Sequence, residues 1–155
     1  MNEQLMREAI RLSVHAVESD AGGPFGAVVA RDGEVIGRGW NQVTSTNDPT
    51  AHAEVVAIRD ACRTLGTFDL SGCEIYASCE PCPMCLAAIC WARLERIWYA
   101  GSRAEAAAIG FDDERIGREL CLAAHERLIA MERLLSDEAG VAFELWRTKP
   151  DRVAY

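Results

Sequence analysis

The chain has 155 residues, half of them apolar and 26% charged, with a formal net charge of −8. That balance describes one ordinary globular domain, able to bury a core without disulfide staples, and it excludes disordered and fibrous classes. The charge repels phosphate backbones, and no basic stripe offsets it: Glu95 and Glu105 interrupt Arg93, Arg96 and Arg103, which read as a solvated face, so a small uncharged or weakly charged substrate suits the chain better than nucleic acid.

The first residues, Met1-Asn2-Glu3-Gln4, have neither the basic region nor the apolar run of a signal peptide, and no stretch of about 18 apolar residues could span a bilayer. The expectation is a cytoplasmic protein without membrane contact. Of the seven cysteines, three crowd between residues 79 and 85, which in a reducing compartment indicates metal or redox chemistry rather than a disulfide framework.

Over residues 3–18, Leu5, Met6, Ala9, Ile10, Leu12, Ala16 and Val17 recur at spacings of three and four, predicting an amphipathic helix that Gly22-Gly23-Pro24 ends. Residues 25–30 and 34–40 are Val/Ile-bearing runs joined by Asp32-Gly33, a tight-turn signal, and predict paired strands. Asp48 as N-cap and Pro49 at the first helical position predict a helix through about Leu65, closed by Gly66. Residues 73–78, 83–93 and 96–100 then read strand, helix, strand, the βαβ order of a parallel sheet with helices on both faces. Beyond Gly101 the expectations are a helix over 104–108, a polar turn at Gly110-Phe111-Asp112-Asp113, a longer helix around 120–135, and a last stretch carrying Val141, Phe143, Leu145 and Trp146 before a polar tail. No fifth strand is visible in the pattern.

The chemistry concentrates in His52-Ala53-Glu54 and, thirty residues after the histidine, Pro81-Cys82-Pro83-Met84-Cys85. The two segments follow the H-x-E…P-C-x-x-C signature of zinc deaminases. One histidine and two cysteines supply the three protein ligands of a catalytic zinc and leave its fourth position to water, which ionises near neutral pH there. Both groups fall at expected helix starts, where unpaired N–H groups favour thiolate. Glu54, two residues from His52, stays free for proton transfer. Cys79 also forms a C-x-x-C with Cys82, and a fourth protein ligand would close the site. Pro81 separates Cys79 from the helix start, so it is assigned to the preceding strand end. Cys62, Cys73, Cys90 and Cys121 read as small buried apolar residues.

Gly22-Gly23-Pro24-Phe25-Gly26-Ala27-Val28, the segments from Asn47 to Glu54 and from Ser78 to Leu86, and Gly110-Phe111-Asp112-Asp113 together resemble the cytidine deaminase-like superfamily, and within it the short bacterial guanine deaminases. The resemblance covers nearly the whole length. It implies a three-layer α/β/α fold with a mixed five-stranded sheet, Zn2+ as cofactor, and a homodimer whose carboxyl-terminal segment, 137–155, is exchanged between subunits. By position it places Asn41, Phe25, Ala53, Trp91 and Tyr155 at the substrate, with His52 and Trp91 sandwiching the ring, and gives Asp113 a part in protonating the departing amine. The implied reaction is hydrolysis of guanine to xanthine and ammonia, Glu54 delivering the proton to the ring nitrogen. Guanosine, cytosine or an aminotriazine such as ammeline are alternative substrates, and tRNA adenosine is disfavoured by the missing basic track. A structural zinc or thiol redox module is the non-enzymatic alternative, and it leaves His52 and Glu54 unexplained.

Overall fold

Asp32 and Gly33 both adopt positive φ, 52° and 85°, which is the turn their sequence calls for, and they join strands β1 (Gly26–Arg31) and β2 (Glu34–Trp40) antiparallel. The computed structural model describes residues 2–155. Among them α1 (Glu3–Glu18) comes first, and α2 (Val43–Thr46) and α3 (Ala53–Leu65) follow the hairpin. Then come β3 (Glu74–Cys79), α4 (Pro83–Trp91), β4 (Arg96–Gly101), α5 (Arg103–Ala108), α6 (Asp113–Cys121) and α7 (Ser136–Thr148).

The sheet runs β2-β1-β3-β4, with β1 antiparallel to both neighbours and β3 parallel to β4. Alternate residues of β1 face opposite sides. Ala27 and Val29 pack with Ala57, Ala61, Leu70 and Ile89 under α3 and α4, while Val28 and Ala30 pack with Leu5, Ala9 and Tyr76 under α1. The result is the expected three-layer α/β/α fold with a mixed sheet. Gly39 lets α3 lie hard against β2: a Cβ there would fall 2.2 Å from the Ala53 carbonyl oxygen. The first turn of α3, which carries Glu54, is thereby seated on the sheet.

Five expectations need correction. The sheet has four strands, not five: a capping box between Ser102 and Glu105 turns the chain into α5 directly after β4, and α7 occupies much of the last stretch. The third helix starts at Ala53 rather than Pro49, because Asp48 Oδ1 accepts from both the Thr50 amide (2.8 Å) and hydroxyl (2.6 Å), which holds a turn there. No helix runs over 120–135. Instead α6 ends at Cys121, and side chains bind the backbone that follows: Glu119 accepts from the Leu128 amide, Glu126 from the Ala123 amide, and Arg127 donates to the Leu122 carbonyl. Cys90 and Cys121 are exposed, not buried, because both lie on outward helix faces. Arg103 is also no simple solvated residue, since it donates to Glu80 Oε1 at 2.9 Å and to the Pro81 carbonyl at 3.2 Å.

The chain divides into two compact units, the first ending at Gly117 and the second Arg118–Tyr155. No described helix is long and apolar enough to cross a membrane.

Candidate active site

His52 and Cys82 are the N-cap residues of α3 and α4. Pro83, at the first position of α4, fits the helix start because its missing N–H has no intrahelical role there. The Cys82 sulfur accepts from the Cys85 amide at 3.5 Å, so the thiolate-favouring end of the helix is already folded onto it.

Among the described residues, His52, Cys82 and Cys85 form the one group of potential metal ligands whose donor atoms all lie within 4.8 Å of one another. His52 Nδ1 stands 3.6 Å from Cys82 Sγ and 3.5 Å from Cys85 Sγ. Tetrahedral zinc with Zn–S of about 2.3 Å and Zn–N of about 2.0–2.1 Å requires sulfur–nitrogen edges of about 3.6 Å. The three side chains therefore fit the ion. Cys82 is driven down to about 4, first by the hydrogen bond from Cys85 and then by that from His52. Cys85 is pushed up by the neighbouring Cys82 and by burial, and His52 is raised chiefly by its bond to Cys82. Cys79, the last residue of β3, donates its thiol toward the Ser102 carbonyl at 3.5 Å and stands outside the group.

The group opens into a cavity of about 290 Å³ lined by Phe25, Asn41, His52, Glu54, Cys82 and Asp113, together with residues that sequence reasoning did not single out. Glu54 is only 8% exposed, and burial raises its pKa above the usual carboxylate range. Burial is also the main cause of the raised pKa of Asp113. Asn41 is buried, and its Oδ1 accepts from the amides of Gly23 (3.1 Å) and Val43 (3.2 Å). Its oxygen is thus committed, and what it can offer a ligand is the donor end of the amide.

Three residues expected at the substrate do not line this cavity. Ala53 is buried in the core beneath Gly39. Trp91 ends α4 and is 66% exposed, and Tyr155 lies in the second unit, 72% exposed. Conversely, Val43 and Thr44 enter the lining from α2, Ser78 and Cys79 from the end of β3, and Phe111 from the turn before α6. A four-residue helix has no periodic signal, so α2 was not legible. Phe111 was visible only as part of its motif.

Residues 1–101 match the family described as the cytidine and deoxycytidylate deaminase zinc-binding region, and the chain belongs to that family, whose members are zinc-dependent hydrolytic enzymes acting on amino groups. Over 154 residues, 99% of each chain, it is 46% identical to the guanine deaminase of Bacillus subtilis (strain 168). An X-ray structure of guanine deaminase from Bacillus subtilis superposes with a TM-score of 0.96, covering 100% of this chain and 99% of that one. The guanine deaminase from Nitrosomonas europaea is 33% identical with a TM-score of 0.68, over 73% of this chain and 65% of that one. The tRNA-specific adenosine deaminase of Aquifex aeolicus (strain VF5) is 41% identical over 98 residues, 63% of this chain and 64% of its own length.

Proposed function

We propose that the chain hydrolyses guanine to xanthine and ammonia, a step of purine metabolism. The observation that carries this reading is the convergence of a zinc-fitting His/Cys/Cys group, two carboxyls of raised pKa and one donor amide on a single small cavity. The 46% identity to a guanine deaminase along nearly the whole chain supports it. A volume near 290 Å³ lies at the small end of ligand pockets, about 300–1,000 Å³, and favours a free base over a nucleotide. The donor end of Asn41 suits the acceptor edge of guanine, O6 and N7, and not the 6-amino group of adenine.

Zinc, which His52, Cys82 and Cys85 would hold, would supply the Lewis acidity that makes water nucleophilic near neutral pH. Glu54, buried beside Cys85, takes the proton from the attacking water and delivers it to the ring nitrogen next to C2. Asp113 carries a proton to the departing amine, and its raised pKa favours the form able to give one. His52 and Phe25 hold the ring from the cavity wall, and Asn41 fixes its register.

Tyr155 completes the site from a second copy. The domain 1–155 acts as a homodimer whose segment 137–155 is exchanged, a reading supported by the second unit, where Leu134, Phe143 and Leu145 are all exposed. Such an array of apolar side chains fits an obligate partner surface. Seven cysteines without a disulfide suit a reducing compartment, the cytoplasm.

The test is ammonia release and ultraviolet change for guanine, guanosine, cytosine, ammeline and tRNA, with zinc measured per chain. Guanine should be turned over at least tenfold faster than any other member, with one zinc per chain. A different preferred substrate overturns the assignment.

A further inference from the structure

Asp113 sits at the start of α6 without a side-chain anchor: among the described residues no hydrogen bond or ion pair holds its carboxylate. Its position is therefore set by the turn that carries it. That turn leaves α5 through Gly110, whose φ of +99° suits glycine, and the Phe111 amide donates to the Ala106 carbonyl at 3.1 Å. The Phe111 carbonyl in turn accepts from the Asp113 amide at 3.2 Å. Phe111 thus links the end of α5 to the carboxyl-bearing residue.

The Phe111 ring meets the Phe25 ring edge-on, with centroids 4.8 Å apart and planes at 86°. It also sits directly over Gly23, where a Cβ would come within 2.9 Å of its Cζ. Gly23 and Phe25 belong to the segment that holds Asn41. The Gly23 amide donates to Asn41 Oδ1 at 3.1 Å, and the Asn41 amide donates to the Phe25 carbonyl at 2.9 Å. One aromatic contact therefore joins the turn bearing Asp113 to the segment that orients Asn41.

We propose that Phe111 is a positioning residue, which registers Asp113 against Asn41 by packing its ring edge-on to Phe25 over Gly23. This rests on the reading of Asp113 as a proton carrier to the departing amine. An edge-on aromatic pair has a preferred geometry that an aliphatic side chain does not reproduce, so volume alone will not replace it. Misplacing a reacting group by about 1 Å costs on the order of 100-fold in rate.

A double-mutant cycle on the zinc-loaded enzyme tests this, with D113N, F111A and the pair assayed on guanine. F111A should lower kcat by about 10–100-fold with KM changed less than about threefold. In the D113N background the same change should lower kcat by less than about twofold, because the group it positions is already gone. F111Y should restore most of the rate and F111L much less; should F111A fail to fold, F111L replaces it in the cycle. Equal losses from the Phe111 change with and without Asp113, or full activity of F111L, overturn the proposal. If D113N alone keeps full kcat, the reading of Asp113 itself falls. If D113N is impaired but the two losses multiply, only the role of Phe111 falls.

Discussion

The two units of the chain solve opposite problems. Up to Gly117 the residues bury Val28, Val29, Leu70, Ile75 and Tyr76 almost completely, between helices on both faces of a sheet. From Arg118 to Tyr155 no residue is buried, and Leu128, Ile129, Leu134 and Phe143 are each more than two-thirds exposed. The first unit has a core and can hold side chains to fractions of an ångström, as the ligand spacing at His52 requires. The second carries the apolar side chains of a core but leaves them exposed. Helices that short are marginal by themselves in water.

In the proposed reaction the proton transfers belong to the first unit, and Glu54→Gln tests this most sharply. The change keeps size and removes the titrating group, so turnover should fall by about 10²–10⁴-fold, the usual contribution of a positioned acid/base. Zinc content should stay at that of the wild type. An active Gln variant would sink the role of Glu54; loss of zinc would show that the residue supports the ligands.

The next test sets one unit against the other. Leu70 is fully buried, and Leu70→Ala should lower stability by about 2–5 kcal/mol whatever the protein concentration, as cavity formation dictates. Phe143→Ser, at a residue 76% exposed, should cost little in dilute monomer. If segment 137–155 packs on a second copy as proposed, the change should forfeit about 1.5–3 kcal/mol of burial for each copy at dimer-forming concentrations, seen as weaker association in sedimentation and a Tm that no longer rises with concentration. Concentration-independent loss in the Phe143 variant would mean that this side chain is covered within its own chain.

The same contrast explains which features are legible in the sequence. In the first unit burial enforces periodicity: Leu5 and Ala9 mark the inner face of α1, and Val28 and Val29 mark a strand covered on both sides, so α1, the hairpin, α4 and the βαβ order were legible. His52, Glu54, Cys82 and Cys85 were legible because zinc chemistry restricts residue type and spacing together. Asn41 and Phe111 were not derivable from pattern, since their roles depend on backbone amides and ring edges brought together from distant segments. In the second unit no buried face imposes a period, and side chains such as Glu119 and Glu126 compete for the backbone, so the helix expected over 120–135 did not form.

The smallest effect lies at the far side of the first unit, under α1. Tyr76 Oη donates to Glu74 Oε1 at 2.8 Å and accepts from the Asn2 amide at 3.2 Å, and Glu74 Oε2 also accepts from Trp98 Nε1 at 2.7 Å. Burial, reinforced by Glu74, pushes the Tyr76 phenol from its ordinary 10 up to about 12. Because the folded value is raised, the stabilisation from the neutral hydroxyl is complete below pH 10 and is lost as pH rises toward 12. Tyr76→Phe should therefore cost about 1–2 kcal/mol at neutral pH, two hydrogen bonds of which one reaches a carboxylate. The gap between wild type and variant should close across pH 10–12 in denaturant titrations, and the phenol absorbance step near 12 should vanish from the variant. No gap at neutral pH would mean that Tyr76 stabilises α1 by packing alone, and that the hydroxyl bridging Asn2 to Glu74 contributes nothing.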